Sequence, residues 1–176
     1  MSSVTIETLG ITLPNIKQFM QAPAPTSHAW VYEGPKFNAT VFGIRGNEER
    51  IPLHDHPGLC GFVKITSFST KLRAAPPEGG IVEALFEGQR QLTPEDQAVH
   101  LIPGNGNIHE IRALVPATYF FDVLIPGYRS DGCGYYALSE PDAGLPPPNT
   151  PTLLRRIAAP AEHTTLTIPY TPVDRL

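Results

Sequence analysis

Two histidines separated by a single residue, His54 and His56, carry the clearest chemical signal in this sequence. Side chains two residues apart on a β-strand point to the same face, so both imidazoles would project together while Asp55 faces away. Neutral imidazole nitrogens bind zinc, copper, iron and nickel. The pair therefore predicts two metal ligands on one strand, and an ordinary pair of surface histidines is the alternative.

A third imidazole, His109, follows a glycine-rich turn. With a period of two, His109 shares a face with the apolar Ile111, and Glu110 falls on the other face. A polar ring on an apolar face needs a partner, because burial without one costs free energy. A backbone carbonyl could satisfy it as a structural histidine. Together with His54 and His56, however, His109 completes a candidate triad of metal ligands that leaves coordination positions open for chemistry.

The predicted triad contains no carboxylate. Many non-haem iron oxygenases use two histidines and one carboxylate, but the nearest acidic residues, Asp55 and Glu110, fall on the opposite faces of their strands. Three neutral ligands would leave the full charge of a bound dication in place. Such a site would attract an anionic thiolate.

The elements that must position these residues are short strands rather than long helices. The 176 residues include 20 prolines and 15 glycines, and proline at roughly twice its average usage of about 5% excludes helical bundles and coiled coils. Hydrophobic residues make up 41% and charged residues 17%, a composition that folds rather than one that stays disordered. The length suits one domain. We therefore expect a single, loop-rich β domain.

Extended segments separated by turn signals follow one another along most of the chain. Apolar segments between proline and glycine breaks predict strands over 39–45, 51–56, 61–68, 81–86, 98–102, 108–114 and 118–125, with a closing strand over 163–169. Apolar residues at helical spacing predict a short N-terminal helix over 13–20. The proline-rich residues 141–151 predict an extended loop, and 153–159 could form a helix or a strand. So many short strands indicate a sandwich or a barrel.

Charge and cysteine content bear on partners and compartment. The chain has 13 Lys and Arg residues and 17 Asp and Glu residues, which gives a formal charge of −4. The sequence shows no cluster of positive charge of the kind that binds nucleic acid. No apolar run approaches the length of about 20 residues that spans a bilayer, and the first ten residues lack a signal-peptide pattern. Two cysteines in a chain of this length favour a reducing compartment. We expect a cytoplasmic or nuclear monomer that binds neither nucleic acid nor membranes.

Four segments resemble the thiol dioxygenases of the cysteamine dioxygenase and plant cysteine oxidase family. They are IPLHDHPGLCGFVKI (51–65), PGNGNIHEI (103–111), FFDVLIPGY (120–128) and CGYY (133–136). Their order and rough spacing also agree. The resemblance is strong over about residues 40–138 and fainter in the tail LLRRIAAPAEHTTLTIPYTP.

The resemblance implies a cupin, which is a double-stranded β-helix or jelly-roll barrel. We expect one all-β cupin domain over residues 1–176, which includes the short N-terminal helix. The barrel would occupy about residues 28–140 and the proline-rich loop residues 141–151. A C-terminal tail, residues 152–176, would pack on the barrel.

Carried over residue by residue, the resemblance implies that His54, His56 and His109 hold ferrous iron. Asp122 lies in the otherwise apolar segment TYFFDVLI, where a buried carboxylate needs a partner. The resemblance places it beside the iron, where it could orient a histidine or receive the amine of the substrate; a structural Asp is the alternative. Tyr128 could donate a hydrogen bond to the substrate or to oxygen, or be a core tyrosine.

Three further residues follow from the same resemblance. Cys133 and Tyr135 match a C-x-Y element that forms a thioether cross-link in some family members, although the gap from Tyr128 to Cys133 is shorter here than in the family. Cys60 stands where relatives often carry histidine. We interpret it as a small buried residue of the substrate pocket.

The function implied by the resemblance is the addition of both atoms of dioxygen to a thiol, which gives a sulfinic acid. The thiol would be cysteamine or the N-terminal cysteine of a protein, in the second case as an oxygen sensor of the Cys N-degron pathway. Arg112 alternates outward, and the absence of an inward arginine disfavours free cysteine, whose carboxylate would want a cation. The alternatives are a zinc or manganese cupin acting as isomerase or hydrolase, and a non-catalytic thiol-binding cupin.

Overall fold

The computed structural model describes residues 18–19, 21–54, 63–70, 76–102, 104–125, 133–161, 163 and 165–169. Over these residues the strands are β1 (Thr26–Glu33), β2 (Asn38–Ile44), β3 (Arg50–His54), β4 (Val63–Ser69), β5 (Ile81–Leu92), β6 (Ile108–Ala113), β7 (Thr118–Leu124), β8 (Tyr135–Leu138), β9 (Thr150–Ile157) and β10 (Thr165–Thr167). A short 3₁₀ turn spans Pro141–Ala143.

The strands form two connected layers. A four-stranded sheet has the order β10-β1-β2-β7, and a closed barrel has the order β3-β6-β4-β5-β9-β8. The paired strands are antiparallel except β1 and β10, which are parallel. This architecture confirms the all-β cupin barrel expected from the sequence.

The interior of the barrel is built by side chains that alternate between buried and outward-facing positions along its strands. From Ile81 to Phe86 on β5, every second residue is buried, so Val82, Ala84 and Phe86 enter the barrel while Glu83 stays outside. The remaining buried members of this cluster are Leu53, Phe68, Ile108, Tyr136 and Leu154. Because side chains on a strand alternate between faces, one register of pairing buries this whole set at once.

Two further apolar clusters hold the four-stranded sheet in place. One contains Ile51 and Ile111 of the barrel together with Ile44 and Phe120 of the sheet. The other lies on the opposite face of the sheet, where Phe19 packs with residues of β1 and β2. The sheet is therefore packed on both faces, and its inner face looks toward the strands that carry His54 and His109.

Most of the predicted strands are present, and one is wrong. Residues 98–101 form no strand, and Ile102 makes only an isolated bridge to Asn105. Their backbone groups exchange hydrogen bonds of 3.1 and 2.8 Å across a tight reversal, so they are not available to a neighbouring strand. Strands β1 and β8 were missed by sequence analysis, although the apolar run of β1 lies between Pro25 and the Gly34–Pro35 break.

The C-terminal part of the chain contributes a strand to the barrel, which the sequence analysis did not predict. The stretch 153–159, left open between helix and strand, forms most of β9, which begins at Thr150 inside the expected proline-rich loop. Strand β9 pairs with β5 and β8, so this part of the tail is a strand of the barrel rather than a segment packed on its outside. Strand β10 confirms the predicted closing strand.

The helix predicted over 13–20 lies mostly outside the described residues. Gln18, Phe19 and Gln21 have helical backbone, and Phe19 is buried. Within the described part of the chain, no helix combines the length and apolar character needed to cross a bilayer.

Replacing a barrel-facing residue of β9 should destabilise the protein far more than replacing its outward neighbour. Leu154 is 0% exposed and Leu153 is 52% exposed. Leu154→Ala should lower the free energy of unfolding by roughly 2–5 kcal/mol, and Leu153→Ala by less than about 1 kcal/mol. Urea denaturation of both variants measures the difference. Equal effects would contradict the place of β9 in the barrel.

Candidate active site

A cavity of about 300 Å³ lies between the barrel and the inner face of the four-stranded sheet. The barrel strands contribute His54, His109 and Tyr135 to its wall, and the sheet contributes His28, Thr40 and Asp122. The rest of the described lining is mainly apolar. This is the usual composition of a small-molecule site, where a few polar groups are set in an apolar wall.

His54 and His109 are brought together by backbone pairing. His54 ends β3 and lies opposite His109 of β6 in the antiparallel register. Their ring centroids are 4.6 Å apart with an interplanar angle of 53°. His109 is 1% exposed and His54 9%. Two imidazoles this close and this buried can direct nitrogen atoms at one shared point.

The tautomer of His54 suits a metal ligand. Its Nδ1 lies 2.6 Å from the carbonyl oxygen of Pro52, and a carbonyl can only accept, so Nδ1 carries the hydrogen. The lone pair is then on Nε2. Metal-binding histidines commonly use the second ring nitrogen in this way, because the hydrogen bond fixes both the tautomer and the ring orientation.

A β-bulge lets residues of β3 face both the cavity and the packed interior of the barrel. Ile51 pairs with Ile111, and His54 pairs with His109, so β3 has one residue more than β6 between these pairs. As a result, Ile51 and His54 both line the cavity, while Leu53 faces the barrel interior. Bulges of this kind redirect side chains next to functional sites.

The outer face of β6 confirms the alternation expected from the sequence. Glu110 pairs with Arg50 at 3.0 Å and with Arg112 at 3.3 Å, and Arg112 also pairs with Glu48 at 3.3 Å. The guanidinium of Arg112 is therefore directed away from the cavity. These partly exposed ion pairs contribute little to stability.

Asp122 is the buried carboxylate of the site. It is 6% exposed on β7, opposite Thr40 of β2. Its Oδ1 has no hydrogen-bond partner among the described residues. Burial raises the pKa of Asp122 to about 8, although a hydrogen bond from the Val123 backbone opposes this shift. In the absence of a cation, the carboxyl group is thus mainly protonated near neutral pH.

Cys133 and Tyr135 also line the cavity. Tyr135 pairs with His54 in the backbone register. Burial raises the pKa of the Tyr135 hydroxyl, and the negative charge of a Cys133 thiolate raises it further. Three other predicted site residues, His56, Cys60 and Tyr128, lie outside the described residues. Within those residues no group of three or more His, Cys, Asp and Glu side chains could hold a metal ion, and the third member of the predicted triad is among those not described.

The cavity wall also includes residues that sequence analysis did not place there. His28 and Trp30 come from β1, and His163 precedes β10. His28 and Trp30 are two residues apart, as are His54 and His56, so the same period-of-two argument could have put them on one face. The position of His163 follows only from the pairing of β10 with β1, which local sequence does not reveal.

Comparison with known proteins points to one family. The family model PCO_ADO matches residues 8–172. The chain is 27% identical to 2-aminoethanethiol dioxygenase of Homo sapiens, over 66% of this chain and 54% of that protein. It is also 27% identical to 2-aminoethanethiol dioxygenase of Mus musculus, over 66% of this chain and 56% of that protein. The chain spans about half the length of the curated relatives it matches.

Similar solved structures include two proteins of low sequence identity. KdgF from Halomonas sp. has a TM-score of 0.37 and 19% identity, covering 61% of this chain and 83% of that protein. A cupin superfamily protein from Desulfitobacterium hafniense has a TM-score of 0.37 and 12% identity, covering 64% of this chain and 88% of that protein. The fold assignment rests on the strand pairing described above.

The buried carboxyl group predicts how stability should change with pH. Because the pKa of Asp122 is raised from 3.8 to about 8 in the folded protein, the folded state binds a proton between these values and the unfolded state does not. The free energy of unfolding of the metal-free protein should therefore fall between about pH 5 and 8, by up to about 1.4 kcal/mol per pH unit. Asp122→Asn should remove this fall.

Chemical denaturation at several pH values measures the effect. Asp142→Asn, which changes an exposed aspartate, is the matched control and should keep the pH dependence. An unchanged pH profile in Asp122→Asn would contradict the burial of an unpaired carboxyl group.

Proposed function

The chain belongs to the PCO_ADO family, and on that premise we propose that it is an iron-dependent thiol dioxygenase that converts an amine-bearing thiol to a sulfinic acid. Cysteamine and the N-terminal cysteine of a protein are the candidate substrates. The observation that carries this proposal is the pair His54 and His109 at one wall of an apolar cavity that also contains the buried Asp122. Two curated relatives are named 2-aminoethanethiol dioxygenase, and 2-aminoethanethiol is cysteamine.

The donor set fits a ferrous ion. His54 has its Nδ1 occupied by a carbonyl and its Nε2 lone pair available, and His109 lies beside it; with His56 they would form the three-histidine ligand set. Imidazole nitrogen suits iron, and three protein ligands leave positions for substrates. When bound, the iron would supply the redox chemistry that joins dioxygen to the thiolate sulfur.

The chain itself would exclude water and hold the substrate. Phe42 and Phe120 stack with ring centroids 5.0 Å apart at 12° and line the cavity opposite the two histidines, with Ile51 and Ile111 close by. An apolar wall removes water from the reacting thiol and strengthens electrostatic interactions inside the site. Tyr128 would donate a hydrogen bond to the substrate.

Asp122 would receive the ammonium group of the substrate. Burial makes its charged form costly in the empty cavity, and an ammonium ion provides the missing counter-charge and hydrogen bonds for Oδ1. Among the described lining residues there is no Lys or Arg, so a substrate carboxylate would find no cation. The site therefore favours a thiol that carries an amine over free cysteine.

The overall reaction consumes one thiol and one dioxygen and leaves both oxygen atoms on sulfur. If the thiol belongs to a protein N-terminus, the sulfinic acid would mark that protein for degradation through the Cys N-degron pathway. The enzyme would then report oxygen level in the cytoplasm or nucleus.

Oxygen uptake with a matched pair of histidine variants tests the proposed function. The purified protein should contain iron and consume oxygen with cysteamine or with a peptide that begins with cysteine. Mass spectrometry with ¹⁸O₂ should find two labelled oxygens on the product. His109→Ala should lose iron and more than about 100-fold in activity, because removal of a ligand should cost more than the loss of an outer-shell partner. His100→Ala, at an exposed position, should retain both. Normal turnover by His109→Ala would reject the assignment.

We propose the thioether cross-link between Sγ of Cys133 and the ring of Tyr135 that the family resemblance implies, and the position of both residues on the cavity wall supports it. Its formation breaks the S–H bond and one ring C–H bond, and the two hydrogens with their electrons reduce one dioxygen to hydrogen peroxide. Peptide mapping after aerobic turnover should therefore find a tryptic fragment about 2 Da lighter than its sequence mass. Cys133→Ser should lack the mass change, and its absence from the wild-type protein would reject the cross-link.

A further inference from the structure

An exposed patch on the outer face of β5 and β9 lies apart from the cavity, and we propose that it joins two copies of this chain in a two-fold symmetric dimer. The β5–β9 patch consists of Ile81, Glu83 and Leu85 of β5 and Pro151, Leu153 and Arg155 of β9. None of the described residues that line the cavity belongs to these two strands, so the inference is independent of the proposed function. It differs from the monomer expected from the sequence, and the experiment below decides between them.

The patch contains large apolar side chains that are exposed to water. Ile81 is 45% exposed, Leu85 39% and Leu153 52%, and Pro151 is exposed beside them. Single exposed apolar residues are common on protein surfaces, whereas adjacent ones on one face mark sites of association. Side chains directly opposite each other on paired strands have Cβ atoms about 5 Å apart, so these four residues form one surface.

The register of β5 and β9 sets the pattern of the patch. Ile81 pairs with Arg155, and Glu83 pairs with Leu153. All four side chains point outward, because the residue between the two members on each strand is buried in the barrel. They occupy the corners of a rectangle of roughly 5 by 7 Å, since adjacent strands are about 4.8 Å apart and the rise along a strand is about 3.4 Å per residue. The apolar side chains lie on one diagonal and the charged side chains on the other.

This arrangement is complementary to itself. A two-fold axis that lies between two such faces, along the apolar diagonal, brings each charged corner over the opposite charge. Glu83 of each copy then meets Arg155 of the other copy, and Ile81 and Leu153 each pack near their own counterparts. An isologous interface repeats every contact, so one complementary pair of residues gives two ion pairs per dimer.

The charges of the patch favour a second copy over a partner of single charge. Among the described residues, neither Glu83 nor Arg155 forms an ion pair, and the guanidinium of Arg155 donates a hydrogen bond to the carbonyl oxygen of Gly79 at 3.5 Å. A uniformly acidic or basic surface would meet one like charge at this patch, whereas the same pattern on a second copy satisfies both. On β8, the residue beside Arg155 is the small Ala137, so this strand presents no obstacle to a second copy.

The size of the patch predicts a weak dimer. Standard interfaces involve about 20–30 residues a side, and the three residue pairs of the patch supply six. We therefore expect a dimer at about 200 µM that dissociates near about 1 µM. At the low protein concentration of the urea experiment the chain would be monomeric, so Leu153→Ala keeps its small expected effect there.

Reversal of each charge tests the contact. Glu83→Arg and Arg155→Glu each replace two attractive contacts by two repulsive ones, so each variant alone should raise the dimer Kd at least about tenfold. An equimolar mixture of the two variants should return to within about threefold of the wild-type Kd, because both contacts of the mixed dimer again join opposite charges. Sedimentation velocity from about 1 to 200 µM measures these values, at low salt because exposed charges are screened.

A matched variant and a combined variant complete the experiment. Glu95→Arg makes the same change in charge at an exposed position outside the patch and should keep the wild-type Kd. Glu83→Arg combined with Arg155→Glu in one chain should recover association, as the mixture does. Circular dichroism at about 1 µM should show the wild-type spectrum for every variant, because all of these positions are exposed.

Each outcome bears on the proposed dimer. Recovery of association in the mixture and in the combined variant supports it. A wild-type protein that stays monomeric at about 200 µM overturns it and leaves the patch to solvent or to another partner. Unchanged association in the two single variants, or a mixture that associates as weakly as each variant alone, overturns it as well.

Discussion

The antiparallel pairing of β3 with β6 is the interaction on which the rest of the site depends. It places His54 opposite His109, and the bulge in β3 lets His54 face the cavity while Leu53 faces the barrel interior. A slip of one residue would turn the imidazole of His109 outward and bury Glu110. Pro52 suits this position, because proline lacks the N–H that a regular ladder would use and its carbonyl fixes the ring of His54.

The register of β6 is secured from its other side by the barrel. Strand β4 pairs with β6 over six residues, and Phe68 and Ile108 are both buried in the interior. The ion pairs on the outer face add little energy but are compatible with only one set of faces. Apolar packing thus holds His54 and His109 in place, and the polar groups of the site are carried by a frame that does not depend on them.

The cavity combines a dry wall with a small number of unsatisfied polar atoms. Oδ1 of Asp122 and Nδ1 of His28 are buried without partners among the described residues, which costs free energy that folding elsewhere must offset. A folded protein retains such atoms where a ligand will pair with them.

Local sequence was sufficient for the β class, for most strands, and for the face of His109, because strand periodicity and proline or glycine breaks depend only on near neighbours. It also singled out Asp122, since a carboxylate in an apolar strand is unusual. It failed for the 98–102 segment, where a local reversal uses the backbone groups that a strand would need. The tertiary structure alone decided that β9 is a barrel strand, that the bulge redirects β3, and that His28 and His163 reach the same cavity as His54 and His109. Those facts depend on pairings between residues that are distant in the sequence, such as Ile51 with Ile111 and His28 with Thr167. The free energy of such pairings comes from burying whole faces together rather than from any short segment.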